Sequence, residues 1–247
     1  MILRKLLNNR FFFFGKKDLE YYSGLLIRAD KGLHEQIAQT LKQKAKAGAS
    51  VLDMGAGQGA LSARLHDLGF KVTAVDTNDD DYVLQDRDIE FRHVNFDHPK
   101  ELEAFIAANE SKFDVVCGVE VIEHVENPWN YIRGLVRLVK PGGVVLITTP
   151  NTTAWLSRLH FLLSGTFLHF QADSLAHGHI NPISTFELNL IMERTGLSDI
   201  EIRPAGTLPP VYCSGIKNTI ASFFALLFRP LQSGILNGWC VIATGTK

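Results

Sequence analysis

Residues 51–59, VLDMGAGQG, constrain the fold of this chain more than any other stretch. An apolar, β-branched run ends in an acidic residue, three glycines alternate with other residues, and the helical pattern ALSARLHDL follows at once. That order predicts a strand, a tight turn and a helix N-terminus, the place where an α/β protein holds the polar part of a nucleotide-like ligand. Gly55, Gly57 and Gly59 let the backbone take positive φ and approach that ligand with no Cβ in the way.

A second strand, KVTAVD, ends at Asp76. An acidic residue at the tip of the second strand of such a unit commonly binds ribose hydroxyls. Up to here a dinucleotide site and an S-adenosylmethionine site read alike. The dinucleotide fingerprint is G-x-G-x-x-G with no fixed carboxylate ahead of it, whereas this chain has Asp53-x-Gly55-x-Gly57-x-Gly59. An Asp before the turn suits a ligand with a cationic amino-acid portion, since it helps anchor both the loop and the ammonium group.

On these residues the chain resembles the class I S-adenosylmethionine-dependent methyltransferases, over roughly residues 35 to 205. VLDMGAGQG is similar to that family's first motif and VTAVD to its second. FRHVNFD ends in Asp97, where the family often places a residue facing the adenine. FDVVCGVEVIEHVENP resembles the fourth-strand motif and LVKPGGVVLITTPN the block carrying the fifth strand. The resemblance implies a Rossmann-like α/β fold: a mostly parallel seven-stranded sheet, helices on both faces, and an antiparallel last strand in GWCVIATGTK. It implies S-adenosyl-L-methionine as cofactor, with Asp53, Gly55, Gly57, Gly59, Asp76 and Asp97 as cofactor-binding residues. For Asp97 a capping or water-facing role is the alternative.

Periodicity gives the organisation. Leu33, Ile37, Ala38 and Leu41 mark an amphipathic helix. Strands fall near 50–54, 71–76, 90–95, 113–118 and 143–148 with helices between them, which predicts a parallel sheet, and a further strand falls near 199–203. Pro141-Gly142-Gly143 reads as a turn between a helix and the fifth strand, and Asn127-Pro128 as a cap and first helical position. Ser184 and Glu187 have capping-box spacing ahead of FELNLIMERT. A basic, Phe-rich and helical cap segment (1–34) is expected ahead of a methyltransferase domain (35–247), with 152–183 and 207–236 as cap or insertion segments. The 247 residues, 46% hydrophobic and 21% charged, suffice to bury one full α/β core plus these additions.

Beyond the carboxyl end of the fourth strand lie Glu120, Glu123 and His124. If EVIEHV starts a helical turn, positions i, i+3 and i+4 project on one face. Two carboxylates and an imidazole so arranged suit Mg²⁺, Mn²⁺ or a similar ion, and His179 or His177 in AHGHINPIS is a further candidate ligand. The E-x-x-E-H motif with a downstream His resembles the ubiquinone-biosynthesis O-methyltransferases and the small-RNA 2′-O-methyltransferases. That resemblance implies metal-assisted O-methylation, with His124 and Glu123 as catalytic residues. The competing reading has the first Glu capping the helix, the second facing solvent and the His packing on the cofactor. His169 reads as a partly buried or surface histidine, and Asp79-Asp80-Asp81 as a solvated loop.

Acceptor class is less constrained. The net charge of −1 and the lack of a basic patch interleaved with aromatics around the site argue against nucleic acid. A small-molecule or lipid-linked hydroxyl acceptor fits. Residues 152–183 and IASFFALLF at 220–228 are rich in Phe and Leu, and residues 1–17 carry Arg4, Lys5, Arg10, Lys16 and Lys17 with no acid. No apolar run reaches the ~18 residues of a membrane span, so these stretches suit a peripheral membrane contact, a homodimer contact or an ordinary active-site roof. Cys117, Cys213 and Cys240 lack metal spacing and no secretory signal is evident, which points to reduced thiols and a cytoplasmic protein, peripheral to the membrane if that contact is made. A non-catalytic S-adenosylmethionine-binding partner, or an N- or C-methyltransferase, is the alternative function.

Overall fold

Alternation along the strands divides the side chains between two apolar layers. Val51, Val72, Val115 and Leu146 face one layer, and Leu52, Val75, Val116 and Val145 the other. A computed structural model describes residues 12–13, 19–84, 87–175, 178–208, 211–212 and 216–247. In chain order these form β1 (Phe12–Phe13), β2 (Glu20–Tyr22), β3 (Leu25–Ile27), α1 (Leu33–Lys44), β4 (Ser50–Met54), α2 (Ala60–Asp67), β5 (Lys71–Asp76) and β6 (Glu90–His93). Next come α3 (Pro99–Asn109), β7 (Phe113–Val119), α4 (Pro128–Leu138), β8 (Val139–Pro150), α5 (Trp155–Ser164) and α6 (Ala172–Leu175). The chain closes with α7 (Thr185–Arg194), β9 (Ser198–Ala205), β10 (Val211–Tyr212), α8 (Ile216–Phe228) and β11 (Cys240–Thr246).

The main sheet has seven strands in the order β6-β5-β4-β7-β8-β11-β9. Strands β4 to β8 pair in parallel, and β11 runs antiparallel between β8 and β9. The expected mixed sheet with its antiparallel last strand is therefore present. Apolar faces of α1 and α2 (Leu33, Ile37, Leu41, Leu61, Leu65) cover one side. On the other side pack α3, α4 and α7, through Ile106, Ile132, Leu135, Leu188 and Ile191. The strand order reverses between β4 and β7, which opens a crevice beyond their carboxyl ends.

Helix starts follow their local chemistry. Asn127 Oδ1 accepts the Asn130 amide at 3.0 Å and Ser184 Oγ accepts the Glu187 amide at 3.1 Å, so both expected caps are made. Two local expectations are corrected. Pro141-Gly142-Gly143 is no separate turn: β8 begins at Val139, directly after α4, and takes the glycines in as a bulge, its register to β7 shifting between Phe113 and Val115. The reason is non-local, since Gly142 N donates to Lys247 O and Lys247 N to Gly143 O. EVIEHV likewise forms only a single turn, closed by His124 N to Val121 O at 2.9 Å.

Residues 213–215, including Cys213, and most of residues 1–18 lie outside the described residues. Cys117 and Cys240 are buried free thiols. Among the described residues no helix is long and apolar enough to cross a membrane.

Candidate active site

The loop between β4 and α2 is held from three directions. Gly57 N donates to Asp76 Oδ2 at 2.7 Å, tying the loop to the tip of β5. Ser62 of α2 donates to Asp53 Oδ2 at 2.6 Å. Gln58 Oε1 accepts the Leu26 amide at 2.8 Å, which fastens the β2–β3 hairpin over the loop. Gly55, at φ +100°, sits where a Cβ would strike Val121 Cγ2 at 2.1 Å, and Gly57, at φ +51°, faces open space. A cavity of about 740 Å³ opens there, lined by Asp53, Gly55, Gly57, Asp76 and Asp97 among others.

Five of the six expected cofactor residues thus reach one cavity. The sixth, Gly59, does not line it. A Cβ there would meet Leu84 and the Tyr82 ring at 2.8–3.0 Å, so this glycine admits the chain segment after β5. Asp97 Oδ1 accepts the Glu126 amide at 2.9 Å while lining the cavity. Asp53 is almost fully buried, and its Oδ1 meets no hydrogen-bond donor. Burial pushes its carboxyl up to about 6, with the neighbouring Asp76 adding to the rise against the lowering by Ser62. A buried acid with one unmet oxygen on the wall of a cavity fits the ammonium group of an amino-acid ligand.

Sequence reasoning missed several lining residues. His34, near the start of α1, is buried on the cavity wall with an unpartnered Nδ1. Burial, helped by the Arg64 charge, pushes it down to about 3, so it is neutral at ordinary pH. Asp81, read as part of a solvated loop, pairs with Arg28 just past the hairpin's outgoing strand, and both line the cavity. His169 carries φ +72° and lines the cavity edge-on to Trp239, with ring centroids 5.5 Å apart. No periodic signal marks these positions, because each reaches the cavity from a loop or element end. An aliphatic neighbour at 33 in the helical stripe was the only hint available for His34.

A second, smaller cavity of about 210 Å³ adjoins the first, and the two share Arg28, Glu120, His124, His169 and His179. At the junction Glu123, His124 and His179 offer ligand atoms that all lie within 4.8 Å of one another. Glu123 is fully buried, its carboxylate oxygens have no hydrogen-bond partner, and His124 Nε2 lies 3.9 Å from Oε1. Burial first, and Glu120 second, drive the Glu123 carboxyl well above the usual range. A solvent-facing second glutamate is thereby ruled out. His179 Nδ1 lies 3.0 Å from the His169 carbonyl, which can only accept, so that nitrogen carries the proton and a neutral ring keeps its lone pair on Nε2. Such a bond is the usual way a ligating imidazole is oriented.

Glu120 stands outside this cluster. Its oxygens accept from Thr148 Oγ1 at 2.7 Å and Cys240 Sγ at 3.3 Å, and its φ of +53° turns the side chain that way. His177 lies outside the described residues. Two amides, Ile180 N and Asn181 N, donate to Glu123 O at 2.9 and 3.0 Å and dock the histidine loop on the β7 turn. Gly178 packs against the His124 ring, where a Cβ would meet Nδ1 at 3.0 Å.

A family model described as "Methyltransferase domain" matches residues 27–202. The chain is 37% identical over 113 residues to the ubiquinone biosynthesis O-methyltransferase of Caulobacter vibrioides, covering 43% of this chain and 42% of that protein. It is 32% identical over 132 residues to the mitochondrial enzyme of that name from Dictyostelium discoideum, covering 49% and 41%. The matches therefore span less than half the length of these relatives. In fold it is similar to a SAM-dependent methyltransferase from Archaeoglobus fulgidus, with TM-score 0.58, 15% identity, and 87% and 94% of the two chains covered. A putative methyltransferase from Haloferax volcanii, solved with its Trm112 activator, is similar at TM-score 0.57 and 17% identity, with 88% and 92% covered. With the family model matching well over half of its length and the sheet order in agreement, the chain belongs to the methyltransferase-domain family and is a class I S-adenosylmethionine-dependent methyltransferase.

Proposed function

We propose that the protein methylates a hydroxyl on a small or lipid-linked acceptor, with a divalent cation such as Mg²⁺ or Mn²⁺ held by Glu123, His124 and His179. The observation that carries this reading is the cluster at the junction of the two cavities, where a cofactor on one side meets an acceptor on the other. A buried carboxylate with no hydrogen bond is costly as it stands, and a cation answers it. The named function of the partial relatives supports oxygen as the acceptor atom.

In the reaction the acceptor oxygen attacks the methyl carbon of the sulfonium in line, the carbon–sulfur bond breaks, and neutral S-adenosylhomocysteine leaves. A bound cation lowers the pKa of a coordinated hydroxyl and orients it. Asp53, bonded to Ser62, and Asp76, bonded to the glycine loop, would hold the two ends of the cofactor and so set its approach to the acceptor. His124 lies on the cavity wall at the junction, where with Glu123 and His179 it would hold the cation beside the acceptor, and the proton of the cation-bound hydroxyl would pass to water in the open cavity. Glu120, held by Thr148 and Cys240, forms the acceptor-side wall between the cavities.

The test is transfer of labelled methyl from S-adenosylmethionine into lipid, polysaccharide, RNA and small-molecule fractions, with and without EDTA. Label in a lipid or small-molecule fraction, lost with chelator and restored by Mg²⁺ or Mn²⁺, is the expected result. Transfer indifferent to EDTA removes the cation from the reading. A base- or carbon-linked methyl in the product moves it to N- or C-methylation. No label from protein that still binds the cofactor points to a non-catalytic binder.

A further inference from the structure

Helix α8 is built inside out. Ser222 and Ala225 are buried against the protein, while Ile216, Ile220, Phe223, Phe224, Leu227 and Phe228 are each more than half exposed. These six fall at helical spacing on one face. Helix α8 packs against α5, whose final turn carries exposed Leu162 and Leu163. Small residues inward and large apolar residues outward reverse the usual pattern of a surface helix, and a contiguous patch of this kind marks an interaction surface.

The charges around the patch say what kind of surface it meets. No acidic residue occurs between Glu126 and Asp173, and Glu201 is the last acid of the chain, so both cap helices lie in acid-free sequence. Arg158 of α5 bonds to the carbonyls of Thr153 and Ser233, and Arg229, just past α8, to the Asn237 side chain. These partners are neutral oxygens, so neither charge is cancelled by a carboxylate among the described residues. Arg158 and Arg229 thus put positive charge beside the patch in a chain whose net charge is −1. A second copy of this face would set cation against cation.

We propose that the α5–α8 face seats the protein on a bilayer containing anionic lipid. The α8 side chains enter the boundary between headgroups and acyl chains, and Arg158 and Arg229 meet the phosphates. The connections then bear on the site: α5 follows Pro150 closely, and the segment after α8 leads into Trp239 and Cys240, all three lining the smaller cavity. The surface that meets lipid is therefore continuous along the chain with the wall of the acceptor side.

Flotation of the full chain with vesicles tests this. Binding is expected to vesicles of phosphatidylcholine with phosphatidylglycerol, weaker binding to phosphatidylcholine alone, and loss at high salt. The double variant Phe224→Glu with Leu227→Glu should lower the partition by about tenfold or more, with S-adenosylmethionine affinity unchanged as the check on folding. Wild-type protein that stays with the buffer in both vesicle types, or binds both equally, overturns the proposal. So does a lipid-free dimer that the double variant turns into a monomer, which would make a second copy the occupant. Flotation does not read methyl transfer, so failure here and failure of the O-methylation reading are told apart.

Discussion

Asp53 Oδ2 accepts the Ser62 hydroxyl, while Oδ1 stays buried on the cavity wall without a donor. With its carboxyl raised to about 6, the residue is neutral in mildly acidic solution and charged at neutral pH. Two consequences have opposite signs. Because the folded value lies above that of the unfolded chain, ionising Asp53 costs the free protein stability as pH rises from the unfolded value to about 6. The same ionisation creates the counter-charge for a cofactor ammonium. Cofactor affinity measured by calorimetry should therefore rise with pH through about 6 in the wild type. In Asp53→Asn it should be weaker and lack that rise; a persisting rise would move the ammonium contact elsewhere.

One pair sets how closely α4 approaches the sheet beside the glycine loop. Tyr131 is buried and its hydroxyl donates to Met54 O at 3.3 Å, at the base of the glycine loop. It can lie there because Gly118 of β7 has no side chain: a Cβ would meet the Tyr131 hydroxyl at 2.5 Å. Tyr131→Phe should cost about 1 kcal/mol, the worth of one hydrogen bond. Gly118→Ala should cost about 1–3 kcal/mol through overpacking. Urea denaturation of the double variant should show less than the sum, since removing the hydroxyl relieves the closest clash. Strict additivity would mean that α4 shifts as a body.

Cavity walls come from the whole molecule: Leu26 and Arg28 of the hairpin and its exit, His34 of α1, the ends of β4, β5 and β7, and His169, Ser174 and His179 of the cap. A ligand that touches all of them links parts of the chain distant in sequence and binds only the folded state. S-adenosylmethionine at a hundred times its Kd should add about 2.7 kcal/mol. For a chain of this size that corresponds to a rise of roughly 5–10 °C in Tm. In Asp76→Ala the shift should shrink at the same cofactor concentration while the ligand-free Tm changes little. A full shift in that variant would remove Asp76 from the cofactor's contacts.

Much of this was readable along the chain. The strands at 50–54 and 71–76, the caps at Asn127 and Ser184, and the tip carboxylates Asp53 and Asp76 depend on neighbours a few residues away, so periodicity and turn chemistry reveal them. The choice between two glutamates three residues apart was hidden. Glu120 is drawn off by Thr148 and Cys240, while Glu123 is driven to full burial against a histidine loop more than fifty residues later. Gly59 gives way to Leu84 rather than to a ligand, and Lys247 turns an expected glycine turn into a strand bulge. The apolar composition of α8 was visible, but the face it shows to solvent depends on which small residues seat against the protein. Contacts between distant segments leave no period in the sequence, because they are set by how sheet, helices and cap close on one another.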